Sequence, residues 1–240
     1  MEELSWKIHL QTDAHDEDHR RYIRPSAILR YMQMAANTQL HYNELTTDDM
    51  LKRGQAFILS SIELSFTRPL LAYESIVSET WPCPPRGYTM PRCYVLWDEK
   101  GEEVARAFSQ WGLVDIESRS ILRASEVSLP VPLCPPFDTK PQRFTVPHID
   151  EMEMVGTYTV TYSQADLNHH LNNTYYPDMF AHFVSLENRR ISHIGIRFLK
   201  EAPLGEVLTI YKQEDATSCR FVSVRQDGCT NAEAIFTFLS

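Results

Sequence analysis

Tyr94–Trp111 reads YVLWDEKGEEVARAFSQW and Phe221–Phe238 reads FVSVRQDGCTNAEAIFTF; the two align without a gap, Tyr94 falling on Phe221 at an offset of 127 residues. In this register Val95 meets Val222, Gly101 meets Gly228, Ala105 meets Ala232 and Ala107 meets Ala234. Each stretch carries a turn between two strand-like runs, Asp98-Glu99-Lys100-Gly101 in one and Gln226-Asp227-Gly228 in the other, which is the pattern of a β-hairpin. A self-match at a fixed offset points to an internal duplication.

The segments around the hairpins repeat as well. Pro25-Ser26 opens a stretch in which Leu29, Met32, Ala36 and Leu40 recur at helical spacing, and Ile62, Leu64 and Phe66 then alternate as a strand. In the second half Asn172 to Thr174 offers helix caps, Tyr176, Phe180 and Phe183 form an apolar stripe, and Pro177 fits only the first turn. Ile194, Ile196 and Phe198 follow as a strand, then Leu208 and Ile210. Between the halves, Pro130-Val131-Pro132-Leu133-Cys134-Pro135-Pro136 cannot continue a ladder or a helix, because proline lacks an N–H and restricts its predecessor. The expected organisation is an N-terminal domain at residues 1–129, a proline-rich linker at 130–150 and a C-terminal domain at 151–240. Each domain is α+β, an antiparallel sheet wrapped around one apolar helix.

Composition narrows the function classes. A hydrophobic share of 43% with 23% charged residues is that of a folded globular chain. A net charge of -9 repels phosphate backbones and anionic lipid, so nucleic acid is not an expected partner. Glu2 and Glu3 stand where a secretory signal would be basic, and no apolar run is long enough to insert in a membrane, which places the chain in the cytosol. Five cysteines are an odd number without a C-x-x-C pair, arguing for reduced thiols rather than a disulfide framework or structural zinc. Cys83, Cys93, Cys219 and Cys229 are expected as buried, inert thiols on strands.

The densest polar cluster is Asp166-Leu167-Asn168-His169-His170-Leu171-Asn172-Asn173, ahead of the second helix. If this loop is extended, Asp166, Asn168 and His170 share one side, since alternate side chains do. The N–H groups around Asn172 and Asn173, at a helix N-terminus, suit a developing oxyanion. Capping alone accounts for Asn172 or Asn173 but not for the alternation before them. Adjacent His169 and His170 on an extended loop point apart, which disfavours a shared metal ion, so no metal is expected.

The string Asp166-x-Asn168-x-His170-x-Asn172-Asn173-x-x-Tyr176 resembles the active-site loop of acyl-ACP thioesterases, and Ile196-Arg197-Phe198-Leu199-Lys200-Glu201-Ala202 is similar to that family's second active-site strand. Glu79-Thr80-Trp81 and Ala107-Phe108-Ser109-Gln110-Trp111 resemble its tryptophan-bearing strands. The resemblance implies two fused hot-dog domains, a thioester hydrolase releasing fatty acid from acyl carrier protein, no cofactor, catalytic Asp166, Asn168, His170 and Glu201, and an acyl-chain pocket in the first half. Plant members have a cysteine after the glutamate; Ala202 stands there, which excludes a thiol nucleophile at that position. The implied carrier is acidic, so docking to it calls for a local basic patch, for which Arg189, Arg190, Arg197 and Lys200 are the candidates. The first half has no Asp-x-Asn-x-His string, so one site per chain is expected. Three alternatives share the fold: an acyl-CoA thioesterase, a hydratase or dehydratase, and a non-catalytic acyl-binding module. A homodimer is compatible with the sequence, although no residue pattern specifies it.

Overall fold

The structure is a computed structural model that describes residues 5–124, 130–138 and 142–239. Its internal contacts divide the chain into two compact units, Met1–Ile23 with Ala27–Ile62 and Thr67–Pro141, and Arg24–Ser26 with Glu63–Phe66 and Gln142–Ser240.

The first unit contains β1 (Trp6–Gln11), all but the first two residues of α1 (Pro25–Tyr42), α2 (Thr47–Lys52), β2 (Gln55–Phe66) up to Ile62, β3 (Ser75–Pro82), β4 (Met90–Asp98), β5 (Glu103–Asp115) and β6 (Ile121–Leu122). Its strands are ordered β1-β3-β4-β5-β2, with β6 on β5. The second contains β7 (Glu153–Thr159), α3 (Tyr176–Ala181), β8 (Arg190–Phe198), β9 (Val207–Glu214), β10 (Ser218–Val224) and β11 (Thr230–Leu239). Here the order is β7-β9-β10-β11-β8. With β1 to β5 placed on β7 to β11 in sequence order, the two topologies are the same.

The match between the hairpins extends to individual hydrogen bonds. Tyr94 pairs with Ala107 and Phe221 with Ala234, and both ladders slip by one residue at corresponding places, between Leu96 and Trp97 and between Ser223 and Val224. Both turns are closed alike: Asp98 N–H donates to Glu102 O at 2.9 Å and Gly101 N–H to Asp98 O at 3.0 Å, while Arg225 N–H donates to Cys229 O and Gly228 N–H to Arg225 O, each at 2.9 Å. Gly101 and Gly228 have φ of 76° and 80°, a left-handed conformation that glycine adopts without strain.

Each sheet packs on a helix. In α1 the buried stripe Ile28, Met32, Ala35, Ala36 and Gln39 turns inward, and Gln39 Oε1 accepts from buried Arg92 Nη1 of β4 at 2.7 Å. In the second unit Phe180 of α3 is fully buried and stacks on Phe221, ring centroids 5.1 Å apart, and Phe221 meets Phe236 edge-on at 5.4 Å. The expected helix start near Thr174 is divided: a single 3-10 turn, Asn173–Tyr175, precedes α3, and Pro177 lies in the first turn of α3. These are two hot-dog domains, the α+β class read from the sequence.

The proline-rich run does not hang between the domains as a free tether. Val131 is buried, Cys134 N–H donates to Pro82 O at 3.0 Å, Trp81 Nε1 donates to Pro135 O at 3.0 Å, and Phe137 receives the edge of Trp81 and the guanidinium of Arg106. Further on, Phe144 covers Gly195 and carries the Arg197 guanidinium over its ring at 4.6 Å. The thiols depart from expectation at one position: Cys83, Cys93 and Cys219 are buried, but Cys229 is exposed because it sits on the rim of the β10–β11 turn.

His193 on β8 is buried, its Nδ1 is 3.2 Å from Ser65 Oγ, and among the described residues its Nε2 has no partner. Burial lowers its pKa below the ordinary 6.5. The unfolded chain therefore takes up a proton near pH 6.5 that the folded chain refuses, so stability present above that pH is lost as pH falls. Thermal unfolding followed from about pH 7 to about pH 5 should show a falling midpoint, and His193→Gln should flatten that slope.

Candidate active site

The sequence Asp166–Leu171 folds as a tight reversal. Asp166 N–H donates to His170 O at 2.9 Å, His169 N–H donates to Asp166 O at 3.0 Å, and His169 takes a φ of 61°. Asp166 Oδ1 accepts the Asn168 N–H at 2.8 Å and the His170 N–H at 3.5 Å, the second at the outer limit of a hydrogen bond. This corrects the expectation of an extended loop. The positive φ at His169 breaks the alternation, so Asp166 reaches the other two residues through their backbone rather than by sharing a side with them.

A short antiparallel ladder carries the reversal to the segment after β8. Leu171 N–H donates to Ala202 O and Leu204 N–H to His169 O, both at 2.8 Å, and His170 lies opposite Pro203. The consequence is that His170 Nε2 stands 3.9 Å from Glu201 Oε1, with the histidine side chain 32% and the glutamate 65% exposed. That separation exceeds a direct hydrogen bond and suits an ion pair or a bridging water. Asn168 is exposed beside them.

The helix-terminus feature is more modest than the sequence suggested. Asn172 N–H is donated to Gln164 O at 2.9 Å, and Thr174 N–H to Asn172 Oδ1 at 3.0 Å. Asn172 is thus a cap, and α3 with six residues has a small dipole.

The first half repeats this backbone with different side chains. Residues 13–26 align without a gap on 161–174, and only Asp18 and Asp166 are identical. The 3-10 turns Ala14–Asp16 and Tyr162–Gln164 correspond, and Asp18 N–H donates to Tyr22 O as Asp166 N–H does to His170 O. Arg21, at φ 67°, answers His169, and Ile23 N–H donates to Leu70 O as Leu171 N–H does to Ala202 O. In place of Asn168, His170 and Glu201 stand Arg20, Tyr22 and Pro69, and Arg20 Nε and Nη2 both grip Asp18 Oδ2, at 2.9 and 2.6 Å. That loop has no counterpart of the His170–Glu201 pair, and its carboxylate is held by Arg20.

Comparison with known proteins identifies the family. The N-terminal domain of acyl-ACP thioesterases matches residues 3–128, and the C-terminal domain of the same family matches residues 148–240. The chain belongs to the acyl-ACP thioesterase family. It is a thioester hydrolase that releases fatty acid from acyl carrier protein in fatty acid biosynthesis. The fold is similar to that of an acyl-ACP thioesterase from Bacteroides thetaiotaomicron, with a TM-score of 0.88, 16% identity and 98% of each chain covered. It is equally similar to a 12:0-ACP thioesterase from Umbellularia californica, with a TM-score of 0.88, 16% identity, 100% of this chain and 98% of that one. A search of curated proteins gives no match. Among the described residues, no helix is long and apolar enough to cross a membrane.

The carrier-binding candidates of this thioesterase do not form one patch. Arg189 is paired with Glu214 and lies over Phe238, and Arg197 is paired with Glu233 at 2.5 Å. Arg190 and Lys200 are exposed, but Arg190 opens β8 and Lys200 lies beyond its far end, more than about 20 Å apart along an extended chain. Lys200 alone of the four adjoins the site.

One positioning residue escaped the sequence reading. Asn231 is fully buried; its Nδ2 donates to Lys200 O at 2.5 Å and to Tyr176 Oη at 3.0 Å, and its backbone O accepts the Leu199 and Lys200 N–H groups. It ties the chain entering Glu201 to α3. The available signal was a lone amide opening an apolar strand, Asn231-Ala232 in the second hairpin where the first has Val104-Ala105. Burial pushes the Tyr176 hydroxyl up to about 12, so it stays protonated. Asn231→Ala strands buried polar groups and should cost about 1–3 kcal/mol by urea denaturation. Turnover should fall with it while KM moves little, and Tyr176→Phe should show the same effect more weakly.

Proposed function

We propose that His170 and Glu201 activate the water that attacks the acyl thioester carbonyl, with His170 returning the proton to the departing thiol. Asn168 holds the carbonyl or the water, and Asp166 fixes the reversal that presents both. The observation that carries this is the 3.9 Å approach of His170 Nε2 to Glu201 Oε1 at an accessible surface, a gap the size of one bridging water. N–H groups near Asn173 are the proposed oxyanion donors, since those of Asn172 and Thr174 are already engaged.

A second chemistry would have Asp166 attack the carbonyl and form a mixed anhydride that water then opens. Against it stands the use of Asp166 Oδ1 as acceptor for Asn168 and His170 N–H groups, which assigns the carboxylate a structural task. The acyl chain is assigned to the first domain, residues 1–129, and the enzyme to the cytosol. Support for the compartment is the odd cysteine count without a C-x-x-C pair, which argues for reduced thiols.

The catalytic roles are tested by steady-state release of free thiol from acyl-ACP. His170→Ala and Glu201→Ala should each lower kcat by about 10²–10⁴-fold with the fold intact. Asp166→Asn retains an oxygen acceptor and should keep far more activity than Asp166→Ala. If the two Asp166 variants are equally inactive, the carboxylate is the nucleophile and the water mechanism falls. A parallel acyl-CoA series reports the carrier: faster hydrolysis of acyl-CoA would overturn the acyl-carrier reading.

A further inference from the structure

The site is ringed by large apolar side chains in solvent. Tyr162 is 88% exposed, Leu167 70%, Leu199 51% and Leu204 45%. Backbone bonds hold them around the chemistry. Leu204 N–H donates to His169 O at 2.8 Å, Gly205 N–H to Val160 O at 2.9 Å beside Tyr162, and Leu199 N–H to Asn231 O at 2.9 Å two residues before Glu201. Leu167 tips the reversal between Asp166 and Asn168.

The first domain supplies an internal control. By the shared hydrogen bonds, Tyr162 corresponds to Ala14, Leu167 to His19, Leu199 to Thr67 and Leu204 to Ala72. The backbone therefore needs none of the four apolar side chains. That domain does expose Leu71 and Tyr73, but these occupy the positions of Pro203 and Gly205, not of the four rim residues. An apolar rim at these four positions, absent from their first-domain counterparts, marks contact with another molecule rather than a folding requirement.

We propose that Tyr162, Leu167, Leu199 and Leu204 form the docking face for the carrier protein that delivers the acyl chain, with the Lys200 ammonium beside it. This rests on the acyl-carrier reading above. The carrier must bring its thioester to His170 and Glu201, so whatever surrounds them meets it. Coulombic attraction is not the adhesive: the chain carries -9, and Arg189 and Arg197 are neutralised by Glu214 and Glu233. Apolar burial with a cation beside it fits an acidic partner that net charge would otherwise repel.

The test exchanges rim residues for their first-domain counterparts, Tyr162→Ala, Leu199→Thr and Leu204→Ala together. KM for acyl-ACP should rise about tenfold or more, the loss of roughly 1.4 kcal/mol of binding. Hydrolysis of an acyl-N-acetylcysteamine thioester, which has no carrier, should be unchanged. For the unmodified enzyme, kcat/KM on acyl-ACP should hold or rise with added salt, because screening relieves repulsion. An unchanged KM for acyl-ACP in a folded triple variant overturns the docking face and leaves the thioesterase reading standing. Equal loss on both substrates overturns it as well, since the residues would then serve the chemistry. If sedimentation shows that the variant splits a dimer, the face joins two copies of this chain and the proposal fails. Preference of the unmodified enzyme for acyl-CoA would remove the carrier reading itself.

Discussion

The site depends on a few backbone hydrogen bonds between the Asp166–Leu171 reversal and the residues that follow β8. Leu171 to Ala202 and Leu204 to His169 lock the two segments in register, so that His170 stands across from Glu201 although thirty-one positions separate them in the chain. Side chains refine this arrangement: Asp166 stiffens the reversal and Asn231 anchors the entry to Glu201. The Leu171–Ala202 bond needs only peptide groups, which explains how the first domain keeps its counterpart, Ile23 to Leu70, with almost none of the same residues, while Ala72, at the position of Leu204, donates its N–H to the Glu17 carboxylate.

That division between backbone and side chain decides what could be read from the sequence. The hairpins were legible because their glycines must occupy a left-handed turn and their alternating apolar residues must face one core, constraints that act on residue type. The duplicated loops were not legible as duplicates. Asp18-His19-Arg20-Arg21-Tyr22 and Asp166-Leu167-Asn168-His169-His170 share one residue, and hydrogen bonds between peptide groups leave no trace in side-chain identity. The candidate site residues stood out for a related reason: a carboxylate, an amide and an imidazole are chemically conspicuous, and Glu201 was proposed from family resemblance. Their geometry was misjudged at His169, since a non-glycine residue with positive φ has no reliable signature. Arg189 and Arg197 were visible as charges, but their acidic partners, Glu214 and Glu233, lie on other strands and only the fold brings them together.

The position after Glu201 shows how local packing restricts chemistry. Ala202 is fully buried, and its carbonyl is the acceptor that secures Leu171. Its side chain points into the domain interior, away from water, so the small residue fits a structural role and the reactive groups left at the surface are His170, Glu201 and Asn168.

The Arg20–Asp18 grip has a stoichiometric consequence. Two copies of one folding device share a polypeptide, and only the second carries the proposed His170–Glu201 pair, so on those proposed roles a preparation would contain one working centre per chain, not two. The first copy keeps the same turn with other side chains because the strands on either side of it are built on that turn: an architectural duty does not require a chemical one.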